Sequence, residues 1–138
     1  MSTSPLPSIL VVDDQETVLQ TVRMLLQSSG AVGTILEATG GKQAIEIASQ
    51  QNPEIILMDI MMPHMNGFEA AKQILLARPQ TKVIIFSARR DREALTLALE
   101  IGAVGYLFKP CKHDVMGQVI RDVAAGKHAY PEVETEYS

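Results

Sequence analysis

Asp13, Asp14 and Asp59 each stand where an apolar run gives way to a polar loop. The first two close Ser8-Ile9-Leu10-Val11-Val12 and the third closes Ile55-Ile56-Leu57-Met58. Carboxylates at the carboxyl ends of buried parallel strands converge on one edge of a sheet, the edge where open α/β folds place their ligands. Three acids there repel one another. The cluster is satisfied by a hard divalent cation, which takes oxygen ligands, or by a basic side chain reaching in from elsewhere. Lys109, in Tyr106-Leu107-Phe108-Lys109-Pro110, ends a later apolar run and suits the second role. Glu16 follows the first pair of acids but falls in the first turn of a helix, where it supports the helix dipole, and is kept out of the site.

The elements that must position these residues alternate strictly between strand and helix. Residues 9–12 form a β-branched run, and residues 17–28 carry Val18, Val22, Leu25 and Leu26 at helical spacing. A weaker strand over 32–38, interrupted by Gly33 and Thr34, precedes a helix over 42–50 that Asn52-Pro53 ends. Residues 54–58 read as a central parallel strand, apolar on both faces. A loop bounded by Pro63 and Gly67 leads to a helix over 68–77; strands over 82–86 and 104–108 and helices over 91–101 and 112–125 complete the series. Five strand-helix units with right-handed crossovers imply a doubly wound parallel sheet covered on both faces.

Composition narrows the function classes. The 138 residues suffice for one domain with a real core, and 46% hydrophobic with 20% charged residues is a globular balance. A net charge of −4 offers no electrostatic footprint for nucleic acid or an anionic membrane, and Arg89-Arg90-Asp91-Arg92 reads as a solvated helix start. No apolar stretch approaches the roughly 20 residues of a membrane span. The single Cys111 excludes an internal disulfide, fits a reducing compartment and is expected to be inert; the expected location is the cytoplasm. His64, His113 and His128 lack paired ligand spacing.

Asp13-Asp14 after the first strand, Asp59 in Leu57-Met58-Asp59-Ile60-Met61-Met62-Pro63-His64-Met65-Asn66-Gly67, Ser87 after Val83-Ile84-Ile85-Phe86, and Lys109-Pro110 after the fifth strand resemble the receiver domain of bacterial two-component response regulators. The resemblance covers residues 8–126, with 1–7 an N-terminal tail and 127–138 a C-terminal tail or the start of a linker. It implies a flavodoxin-like sheet in the order 2-1-3-4-5; the chemotaxis receiver is a standard example of that order.

The resemblance also implies roles. Asp59 is the phosphoacceptor, taking a phosphoryl group from a sensor histidine kinase or a phosphotransfer protein. Asp13, Asp14, Asp59 and the backbone carbonyl of Met61 hold Mg²⁺, an ion that combines one or two carboxylates with phosphate and water. Lys109 pairs with the phosphoryl oxygens and Ser87 hydrogen-bonds one of them. On phosphorylation Ser87 moves toward the phosphoryl group and Tyr106 rotates inward, altering the surface formed by helix four, strand five and helix five. In helix four, Ala94, Leu97, Ala98 and Ile101 are expected to form the core stripe, leaving Leu95 and Leu99 on a flank that suggests a partner surface. Met61 and Arg89, two residues beyond Asp59 and Ser87, flank the path of a hydrolytic water, and Arg89 is expected to cover the phosphoryl oxygens.

The output expected from the resemblance is transcription. Residues 126–133, Gly-Lys-His-Ala-Tyr-Pro-Glu-Val, resemble the junction that precedes a LuxR-type helix-turn-helix domain. The competing expectation is a stand-alone regulator acting by protein contact, and a phosphorylation-linked homodimer fits either. Two other classes compete: a haloacid-dehalogenase-like phosphohydrolase, whose second Asp two positions after the nucleophile is missing in Asp59-Ile60-Met61, and a constitutive interaction module, which has no need of the retained acids, Ser87 and Lys109.

Overall fold

The computed structural model describes residues 5–131. Ten elements alternate along the chain: β1 (Ile9–Val12), α1 (Glu16–Ser29), β2 (Ile35–Ala38), α2 (Gly41–Gln51), β3 (Ile55–Met58), α3 (Gly67–Ala77), β4 (Lys82–Ser87), α4 (Arg92–Ile101), β5 (Gly105–Phe108) and α5 (His113–Ala124). All strand pairs are parallel and the sheet order is β2-β1-β3-β4-β5, as expected.

Each central strand divides its side chains between two cores. Leu10, Val12, Ile56 and Met58 face the cluster under α2, α3 and α4, whereas Ile9, Val11, Ile55 and Leu57 face the cluster under α1 and α5. Burial on both faces is why β1 and β3 are apolar throughout rather than alternating. Among the described residues no helix is long and apolar enough to cross a membrane.

Three departures from the sequence expectation have local causes. The second strand begins at Ile35 rather than Val32, because Gly33 donates its N–H to the carbonyl of Pro7 and the chain turns there before pairing with β1. Ser87 lies inside β4, its carbonyl accepting the N–H of Lys109. In α4 the core stripe is Ala94, Leu95 and Ala98; Leu97 and Ile101 are half-buried, and Leu99 is left 56% exposed. Apolar residues at 94, 95, 97, 98, 99 and 101 fit two helical stripes, and packing selects the one through Leu95.

Candidate functional site

The register of the sheet assembles the acids. Val12 lies opposite Met58, so the residues that follow them, Asp13 and Asp59, fall side by side. One further ladder bond fixes each: Asp13 donates its N–H to Ala38 (3.1 Å) and Asp59 to Val12 (3.0 Å). Asp13 and Asp59 are buried, at 2% and 6% exposure, while Asp14 is more open. One carboxylate oxygen from each of the three lies within 4.8 Å of the others. Neither Asp13 nor Asp14 caps α1. The cap position is Gln15, whose N–H is accepted by Asp13 Oδ1 at 2.9 Å, so Asp13 keeps its second oxygen for the cluster.

That second oxygen meets Lys109. The Lys109 ammonium, carried on the loop after β5, stands 2.7 Å from Asp13 Oδ2 and 3.7 Å from Asp59 Oδ1. Its stem crosses the end of β4, and the ammonium sits 5.1 Å from the centroid of the Phe86 ring. One cation therefore faces three acids, and the remaining negative charge with an all-oxygen donor set fits a hard divalent ion. Burial, followed by the repulsion of Asp13 and Asp14, pushes the Asp59 carboxyl above the usual aspartate range, against the opposing pull of the Met61 N–H and Lys109. The Met61 N–H donates to Asp59 Oδ1 at 3.1 Å, and the Met61 side chain is 64% exposed.

Gly67 is a positioning residue that the sequence marked only as a loop boundary. Its N–H donates to the carbonyl of Ile60, and a Cβ added here would sit 2.0 Å from the carbonyl oxygen of Asp59. Only glycine lets the start of α3 approach the acid loop so closely.

The chain belongs to the response regulator receiver domain family. The family model for that domain matches residues 9–121. Among curated relatives, the transcriptional regulatory protein DegU of Brevibacillus brevis is 32% identical over 91% of this chain and 53% of its own length. The nitrate/nitrite response regulator protein NarL of Escherichia coli K12 is 30% identical over 98% of this chain and 62% of its own length. This chain thus spans between half and two thirds of those relatives. A solved two-component response regulator of the LuxR family from Aurantimonas sp. SI85-9A1 superposes with a TM-score of 0.85 at 27% identity, covering 90% of this chain and 89% of that one.

In this receiver the residues expected to respond lie on the neighbouring strands, Ser87 at the end of β4 and Tyr106 on β5. Ser87 is buried and its hydroxyl accepts the N–H of Arg89 at 3.0 Å. It does not cap α4; Asp91 does, accepting from Ala94. Tyr106 points inward, 2% exposed, and its hydroxyl donates to the Arg89 carbonyl at 2.8 Å. Its ring meets Phe108 edge-on at 5.6 Å, and the Arg90 guanidinium lies 4.4 Å from the Phe108 centroid. The Arg89 guanidinium does not reach over the acids. It makes a paired contact with Asp91, Nε to Oδ1 at 3.0 Å and Nη2 to Oδ2 at 2.7 Å, which holds the Asp91 carboxyl down at about 2. Without a phosphoryl group, the guanidinium expected to cover one is paired instead with an exposed carboxylate two residues away.

Proposed function

We propose that this receiver takes a phosphoryl group on Asp59 from the phosphohistidine of a sensor histidine kinase or phosphotransfer protein. An Asp59 carboxylate oxygen attacks phosphorus, the phosphorus–nitrogen bond breaks, its electron pair returns to the imidazole, and an acyl phosphate remains on Asp59. Asp13, Asp14, Asp59 and the Met61 carbonyl are the residues that would hold Mg²⁺, which when bound neutralises charge on the phosphoryl oxygens. Lys109, already at the acids, supplies a second positive charge, and the Ser87 hydroxyl, which accepts the Arg89 N–H, keeps its own O–H to donate. Phosphoryl transfer is positioning and charge neutralisation, so this set is sufficient without a further catalytic residue.

The observation that carries the proposal is the buried Asp59 within reach of both another buried acid and one lysine, an arrangement that stores charge conflict at one oxygen group. The outcome is a phosphorylation-controlled switch in the cytoplasm rather than a metabolic enzyme. Transcription is the output favoured, through a DNA-binding domain outside residues 1–138, because the DegU and NarL relatives are by name a transcriptional regulator and a response regulator and are longer than this chain. A stand-alone regulator working by protein contact is the second reading. Asp59→Asn keeps the shape and removes the nucleophile; it should abolish labelling by acetyl phosphate or a phosphorylated kinase. Full labelling of that variant would remove Asp59 from its role.

A further inference from the structure

β5 ends the sheet, yet its outer edge is not bare. After α5 the chain returns along it. Ala129 donates its N–H to the Val104 carbonyl at 2.8 Å and accepts the Tyr106 N–H at 3.0 Å, a parallel bridge centred on Gly105. Tyr130 then donates its hydroxyl to the Ala103 carbonyl at 2.7 Å, and its side chain packs on the same core cluster that contains Tyr106. Burial pushes the Tyr130 phenol up to about 12. Gly105 leaves room for this: a Cβ there would meet the Ala129 carbonyl oxygen at 3.1 Å.

The bridge stops after one rung for a covalent reason. The next rung in this register needs an N–H at residue 131 directed at the Tyr106 carbonyl, and Pro131 has none. The contact is therefore short enough to be made and broken as a unit. Tyr106 joins it to the rest of the site, because its hydroxyl holds the Arg89 carbonyl next to Ser87 while its N–H holds Ala129.

We propose that residues 127–131 form a strap on the β5 edge whose docking favours the inward Tyr106, so that the state of Asp59 and the hold on the chain beyond Pro131 are coupled through the main chain of β5. The proposal rests on the phosphoacceptor reading of Asp59. Coupling of this kind is reciprocal: whatever factor a phosphoryl mimic adds to strap docking, the docked strap adds to binding of the mimic.

Amide hydrogen exchange on the full chain, with Mg²⁺ and with or without beryllofluoride as the phosphoryl mimic, tests it. Exchange at Tyr106 and Ala129 should slow by about fivefold or more when beryllofluoride is added. Ala129→Pro removes the N–H donated to Val104; it should speed exchange at Tyr106 and weaken beryllofluoride binding. Tyr130→Phe should do both to a smaller degree. Unchanged exchange at Asp59, whose N–H is bonded to Val12, would show that each variant keeps its sheet. If beryllofluoride protects Met61 but leaves Tyr106 and Ala129 unchanged, or binds the strap variants as tightly as the parent, the strap is overturned and the receiver reading stands. If even Met61 fails to respond in the parent, both fall.

Discussion

The two sides of this receiver are held by different kinds of contact. At the carboxyl edge of β1 and β3, charged side chains hold one another: Asp13 and Asp59 are buried, and Lys109 reaches both. On the β4–β5 side the fixed points are main-chain carbonyls. Arg89 offers one to Tyr106, Ala103 one to Tyr130, and Ala129 one to the Tyr106 N–H. Charge among side chains gives a site defined by residue identity and costly to alter. Single hydrogen bonds to carbonyls are each worth about 1 kcal/mol, which suits parts that must let go.

Lys109→Ala tests the charged side most severely. It leaves Asp13 buried beside Asp59 with its cation gone, and breaking such a pair from one side destabilises; since Lys109 keeps 22% of its side chain exposed, about 2 kcal/mol is expected rather than the larger loss of a fully buried pair. Mg²⁺ should restore much of that stability and bind more tightly than in the parent, while the beryllofluoride response is blunted. Chemical denaturation with and without Mg²⁺ checks both. A variant as stable as the parent without Mg²⁺ would show that Lys109 does not neutralise the acids in solution.

The same contrast explains what the sequence disclosed. The strands bearing acids were legible because β1 and β3 are apolar runs and because Asp, Asp and Lys at strand ends carry a chemical signature. Ser87 and Tyr106 were legible through the family pattern. The bridge of Ala129 to β5 was not, since alanine advertises no main-chain hydrogen bond and residues 127–131 read as a tail; residues 132–138 of that expected tail, like residues 1–4, lie outside those described. The Arg89–Asp91 contact was missed for a different reason. A cluster of three arginines and one acid reads as solvated charge, and only the turn before α4 shows which arginine the acid holds. In α4, six apolar positions left the choice of stripe to packing.

The lifetime of the phosphorylated state comes next in size. Hydrolysis needs a water in line with phosphorus. Met61 is exposed and apolar, and Arg89, a donor-only group, is held by Asp91, so neither helps that water. Decay on the order of minutes or longer is expected, and Met61→Asn with Arg89→Glu should speed it by about tenfold, or 1.4 kcal/mol of barrier. Phosphoryl loss followed in isolated protein decides it; decay in seconds from the parent, or no acceleration in the double variant, contradicts the assignment.

Tyr106→Phe addresses the carbonyl-held side. It keeps the buried ring and its edge contact with Phe108 but releases the Arg89 carbonyl, so the loop before α4 should loosen at a cost of about 1 kcal/mol. Mg²⁺ affinity should not change, because no metal-side group is touched. Faster amide exchange at residues 88–92, with a smaller increase at Ala129 through the Tyr106 main chain, is the expected result. A change in Mg²⁺ affinity instead would mean that the metal alone, without a phosphoryl mimic, already engages the β4–β5 side.

The smallest effect expected is on stability against pH. Burial raises the Asp59 pKa above its value of 3.8 in an unfolded chain. A raised folded-state pKa means that the folded form binds the proton more tightly than the unfolded form does. The resulting stabilisation is fully present below 3.8 and is lost as pH rises through the folded-state value, so at neutral pH ionised Asp59 works against the fold. Asp59→Asn removes that charge while Lys109 keeps its 2.7 Å contact with Asp13. Without Mg²⁺ the variant should melt a few degrees above the parent near neutrality, and the gap should close as pH falls toward the acid range. Mg²⁺ should reverse the order by stabilising the parent alone. A variant that melts below the parent at neutral pH in the absence of Mg²⁺ would show that Lys109 and the Met61 N–H outweigh burial at Asp59, and that the acids are not in conflict before a cation arrives.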